Sequence, residues 1–72
     1  MESSVSKEIT LIGSSTESWE KAAAAAVAVA SKTLHGIHVA EVRKLYMHVD
    51  KGKVTSYRAR IRVAFEYDKK YK

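Results

Sequence analysis

Ala22 to Ala30 are nine consecutive apolar residues, all alanine or valine. The flanking pattern has helical spacing, so about two and a half turns of helix carry no polar side chain. A surface helix keeps one apolar stripe and one charged face, whereas a helix that is apolar all round is buried all round. A chain of 72 residues buries only about 60% of its unfolded surface. It cannot enclose such a helix alone. Another copy of the same chain is the expected cover.

The remaining composition narrows the means of stabilisation. There is no cysteine, so disulfides and thiolate zinc sites are excluded and the redox compartment stays open. No proline and only three glycines argue for continuous secondary structure rather than disorder. Met1-Glu2-Ser3-Ser4 has no basic segment leading into an apolar one, and the Ala/Val run is short of the ~20 residues a membrane span needs. A single domain over 1–72 is expected, in a cytoplasmic protein with no membrane partner. Its ordered core should run from about residue 5 to 67, with a short basic tail at 68–72.

Val5 to Ile12 alternates apolar and polar residues and meets Gly13-Ser14-Ser15, which reads as a strand turning directly into the helix. Ser14 or Ser15 is the expected N-cap, with Ser14 and Glu17 forming a capping box and Glu17 and Glu20 at the positive end of the helix dipole. Trp19, Ala22, Ala23, Ala26, Val27, Ala30 and Leu34 form the stripe predicted to lie on a sheet. That leaves Ala24, Ala25, Ala28 and Val29 on the far side, where small residues admit a close backbone. Lys32 and Gly36 close the helix.

Ile37 to Val49 and Val54 to Tyr67 read as two long strands joined by a hairpin at Asp50-Lys51-Gly52-Lys53. The last strand places Tyr57, Ala59, Ile61, Val63, Phe65 and Tyr67 on one face and Ser56, Arg58, Arg60, Arg62 and Glu66 on the other. Ile37, Val39, Leu45, Met47 and Val49 share one parity, which Glu41 and Arg43 interrupt. Either a bulge shifts the register there, or two charges face inward and must be paired. The fold class is therefore α+β, β-α-β-β, with a three-stranded antiparallel sheet wrapped around one long helix.

Charge is uneven. Residues 1–42 carry three lysines against five glutamates, and residues 43–72 carry ten Lys/Arg against three carboxylates, for a chain total of +5. A solvated strand face is the plain account, and phosphate binding by Arg58, Arg60 and Arg62 is the functional one, because guanidinium forks match phosphate. RNA binding would want exposed aromatics between the cations, and nucleic acid is not an expected partner. His38 and His48 are roughly 33 Å apart along one strand, too far to share a metal, and His35 suits the helix C-terminus. Ser14 and Ser15 lie in no G-x-S-x-G turn. No catalytic set is readable, so the chain is not expected to be an enzyme.

The order of these pieces resembles the dodecins: Leu11-Ile12-Gly13-Ser14-Ser15, the Ala-rich helix, Val39-Ala40-Glu41-Val42, the hairpin and Tyr57 to Phe65, together covering roughly residues 5–67. The resemblance implies a hollow homododecamer of tetrahedral symmetry that stores or sequesters flavins. In that family, paired flavin rings stack between tryptophans at subunit contacts, and a glutamine grips the ring edge. By that correspondence the ligand site falls at Val39, His38 and Arg58. Valine replaces the stacking tryptophan and arginine the glutamine, so flavin is not expected. A ring stack is worth on the order of 1 kcal/mol beyond its buried area, and arginine donates only. Ser18-Trp19-Glu20 with no tryptophan in the second strand is similar to the subgroup associated with calcium. No EF-hand loop is present, and a lone carboxylate such as Asp50 or Glu41 would need symmetry mates to hold an ion. Within a shell, Arg60 and Arg62 could contact phosphate-bearing ligands such as coenzyme A. The expected function is a non-catalytic shell for a small ligand or ion; the alternative is a basic module for nucleic acid or phosphate-bearing nucleotides.

Overall fold

The computed structural model describes residues 3–67; the expected basic tail lies outside the described residues. The elements are β1 (Ser6–Ser15), α1 (Trp19–Thr33), β2 (Ile37–Asp50) and β3 (Lys53–Glu66). They form one sheet in the order β1-β3-β2, antiparallel at both junctions. The β-α-β-β reading holds. Lys51 and Gly52 both have positive φ (53° and 79°), as a two-residue type I′ hairpin requires. Asp50 and Lys53 close that turn as a cross-strand pair.

Ala22, Ala26 and Ala30 face the sheet and are buried. Trp19, Ala23, Val27 and Leu34 border them half-buried, while Ala24, Ala25, Ala28 and Val29 are exposed. The stripe read from the sequence and its far side are therefore both in place. Alanine keeps the helix close to the strands, and a Cβ on Gly13 would lie 1.9 Å from the Ala22 carbonyl oxygen. The buried set is Ala22, Ala26, Ala30, Ala59, Ile61 and Val63, with Ile61 and Val63 the largest. This is a thin core.

The helix entry differs from the sequence expectation. β1 continues through Gly13, Ser14 and Ser15, which pair with Ala59, Arg58 and Tyr57. The N-cap is Ser18, whose side chain accepts from the Lys21 N–H at 3.1 Å. Ser15 Oγ instead accepts from the Glu17 N–H at 2.9 Å and so stabilises the turn before the cap. Glu17 pairs with Lys21 one turn on, rather than completing a capping box. Ser18→Ala should cost about 1 kcal/mol, and Ser14→Ala almost nothing, since Ser14 makes no side-chain hydrogen bond among the described residues. Urea unfolding of the two variants checks this; equal losses would contradict the assignment.

Charges in β2 are accommodated by bulges. The register shifts between Ile37 and Val39, between Val42 and Lys44, and between His48 and Val49. His38 and Arg43 are the unpaired residues at the first two. The first bulge puts Ile37 on the helix side, opposite Phe65, and Val39 on the outer face, opposite Ala64. This corrects the shared parity read for those two. The second bulge returns Leu45 and Met47 to the helix side, opposite Ala59 and Tyr57.

Each strand of the β2–β3 hairpin has 14 residues, against 15 in the helix. At ~3.3 Å per strand residue and 1.5 Å per helical one, the hairpin runs about 46 Å and the helix about 22 Å. The helix lies mainly on β1 and β3, so β2 and the hairpin tip overhang it. The extents are 56 × 20 × 13 Å and the radius of gyration 15.1 Å, where a compact chain of this length has about 11 Å.

Candidate functional site

Two surfaces follow from this arrangement. The outer face of the sheet, away from the helix, carries Val39, Glu41, Lys44 and Tyr46 of β2 opposite Ala64, Arg62, Arg60 and Arg58 of β3. Its centre is a cleft of about 360 Å³ lined by Thr10, Arg43, Lys44, Arg60 and Arg62. Three strands converge there because β3 is central: Thr10 lies opposite Arg62 from one side, and Lys44 opposite Arg60 from the other. Arg62 sits 3.7 Å from Glu8, and Arg43 bonds Glu41 at 3.0 Å. Lys44 and Arg60 have no ion pair among the described residues.

Arg60 and Arg62 of the sequence-predicted set are thus joined in this cleft, and Arg58 is not. Arg58 is half-buried further along β3, with its Nε 3.4 Å from Ser56 Oγ. Thr10, Arg43 and Lys44 were missed as cleft residues. Adjacent residues on a regular strand point to opposite faces, and only the bulge at Arg43 lets it line the same cleft as Lys44. Two cations side by side at a break in apolar alternation were the available signal.

Val39 and Arg58 are not neighbours. Val39 lies opposite Ala64, six residues from Arg58 along β3, or about 20 Å. His38 is close to Val39 in sequence, and its Nε2 lies 3.3 Å from Ser6 Oγ of β1. One chain therefore does not gather these three positions into a pocket. Trp19 anchors the helix start: its Nε1 donates to the Tyr46 carbonyl at 3.0 Å, and its ring meets Tyr57 edge-on at 5.2 Å and 74°.

The second surface is apolar. A groove of about 450 Å³ runs between β1 and the helix, with Ile9, Leu11, Ile12, Ala25 and Val29 among its walls. Val42, Leu45 and Met47 stand on the helix side of β2 with 51%, 49% and 43% of their surface exposed. Among the described residues no group of three His, Cys, Asp or Glu side chains could hold a metal ion, and no helix is long and apolar enough to cross a membrane.

Fold and surface together define a small β-α-β-β protein with a cationic outer sheet face and an uncovered apolar side. The dodecin family model matches residues 5–68, and the chain belongs to the dodecin family. It is 43% identical over 63 residues to the calcium dodecin of Mycobacterium tuberculosis, a match covering 88% of this chain and 89% of that one. The crystal structure of a Mycobacterium tuberculosis calcium dodecin, described as calcium-chelating with a novel calcium-binding site, superimposes with a TM-score of 0.81 at 41% identity. It covers 96% of this chain and 99% of that chain. A variant dodecin from Thermus thermophilus gives 0.86 at 31% identity, over 93% of this chain and all of the other.

Proposed function

We propose that this chain is the subunit of a hollow homododecamer of tetrahedral symmetry that binds, stores or sequesters a small ligand or ion and catalyses nothing. The observation that carries the reading is the surface one chain leaves uncovered. Its accessible area is 5725 Å², where a compact monomer of 8.0 kDa exposes about 4,450 Å². The excess, about 1,300 Å², is larger than the ~800 Å² one partner gives to an ordinary stable interface. Val29, Val42, Leu45, Met47 and the groove beside β1 supply its apolar part, and every 100 Å² of apolar surface covered contributes about 2.5 kcal/mol. A second copy is the fitting occupant, because the alanines opposite the sheet allow a backbone to approach closely.

The ligand site at Val39, His38 and Arg58 is then completed between copies. Valine offers no ring to stack on and Arg58 no acceptor for a flavin edge, so the family's flavin site is not retained. The relative named for calcium makes calcium a candidate ion. Calcium takes six to eight oxygen ligands, and among the described residues no three carboxylate or histidine side chains come together to hold an ion. A site would need oxygens from several copies.

Native mass spectrometry of protein purified from the cell tests this. The expected result is a twelve-fold multiple of the 8.0 kDa chain mass with no flavin retained. A folded species at the chain mass would end the shell reading, and a flavin adduct would end the reading of Val39 and Arg58. The four cations around the outer cleft favour a second reading, a basic module for nucleic acid. Its affinity should collapse between low and moderate salt, whereas the mass of a shell should hardly change.

A further inference from the structure

We propose that the cleft on the outer sheet face is a binding site for a multiply charged phosphate chain, built from Thr10, Arg43, Lys44, Arg60 and Arg62. This deepens the storage reading by naming a ligand class, and it rests on that reading for its use in the cell. The register carries the assignment. Lys44 and Arg60 are direct cross-strand partners, and like charges in that position repel and destabilise a sheet. Arg43 and Arg62 line the same cleft. Glu41 bonds Arg43 at 3.0 Å and Glu8 lies 3.7 Å from Arg62, so four cations face two carboxylates and leave a local charge of +2. The two cations without an ion pair among the described residues are the pair in direct opposition. A bound polyanion would turn their repulsion into two charge-assisted contacts, and the Thr10 hydroxyl adds a neutral donor.

The dimensions select a small anion. Arg60 and Arg62 are about 7 Å apart along β3, and the three contributing strands span about 10 Å. Such a patch holds two or three linked phosphates, not a polymer track. No aromatic side chain lines the cleft; Tyr46 of the same face lies outside it, opposite Arg58, so the cleft itself offers a base no stacking platform. Charge recognises the ligand here, and the rest of its structure is free to vary.

Inorganic tripolyphosphate is the probe, titrated calorimetrically into the assembled protein at low salt, with Lys44→Gln and Arg60→Gln variants alongside. Wild type should bind saturably and more weakly as salt rises. Each variant should lose about tenfold or more in affinity, the scale of one charge-assisted hydrogen bond. Without ligand, both variants should melt at or above the wild-type temperature, because each removes half of a repelling pair. Tripolyphosphate should raise the melting temperature of wild type more than theirs. Absence of saturable binding would overturn the proposal, including where acidic groups of a neighbouring copy already fill the cleft. So would unchanged affinity in both variants, or a single-stranded oligonucleotide binding more tightly than tripolyphosphate. Sedimentation in the same buffer keeps the two readings apart. Twelve-chain particles that ignore tripolyphosphate sink only this site, and single chains that bind it sink only the shell.

Discussion

Gly13→Ala should cost the fold about 3 kcal/mol or more, a large share of its total stability. The added Cβ would lie 1.9 Å from the Ala22 carbonyl oxygen, 2.9 Å from its carbon and 3.1 Å from the Ala26 Cβ. The first two are backbone atoms, so no rotamer relieves the clash. Either α1 lifts off β1 by more than an ångström or β1 leaves the sheet. Lifting the helix opens space above Ala59, Ile61 and Val63, the floor of the buried set. Overpacking costs ~1–3 kcal/mol where side chains can adjust, and a backbone clash in a thin core belongs at or above the top of that range. A chain of this length has roughly 4–11 kcal/mol of total stability. The measurement is urea unfolding by circular dichroism, or the soluble yield where no folded protein accumulates. A loss below about 1 kcal/mol would mean the helix and β1 are not in the contact described.

Val29→Asp should break the assembly while leaving the single chain's own contacts intact. Val29 is 63% exposed in the isolated chain, so the substitution removes little packing there, and its intrinsic helix cost is only ~0.5 kcal/mol relative to alanine. If a sister subunit covers this face, the same carboxylate is buried without a partner, which costs several kcal/mol at each contact. Repetition through a closed shell multiplies that penalty. The expected result in the ultracentrifuge is loss of the large particle, with helical circular dichroism retained in the smaller species. A particle of unchanged mass and melting temperature would show that this helix face is open to solvent, and the shell would need another interface.

How much could be read from residue order depends on the range over which each feature is decided. The helix stripe, the charged and apolar faces of β3 and the hairpin at Lys51-Gly52 are set by neighbours a few residues apart, and each lies where periodicity puts it. The helix start is different. Ser14, Ser15 and Ser18 all have cap chemistry, and Gly13-Ser14-Ser15 carries a turn signal. Pairing with Ala59, Arg58 and Tyr57 keeps those three residues in β1 and leaves the cap to Ser18. Parity along β2 failed at Ile37 and Val39 because the extra residue at His38 turns the strand over.

The candidate sites divide in the same way. Arg60 and Arg62 were visible as members of one strand face. Their company with Thr10, Arg43 and Lys44 was not, because it needs two partner registers and a bulge. Val39 and Arg58 were named together from family resemblance, yet about 20 Å of β3 separates them within one chain.

Residue order alone determined that the helix has no polar side chain on its central turns, because side-chain chemistry repeats with the helical period whatever surrounds it. Tertiary structure alone decided which surface stays bare and which cations meet. Both outcomes depend on where the helix stops short of a longer hairpin and on how an extra residue shifts one strand against the next, and those are properties of pairing between distant segments.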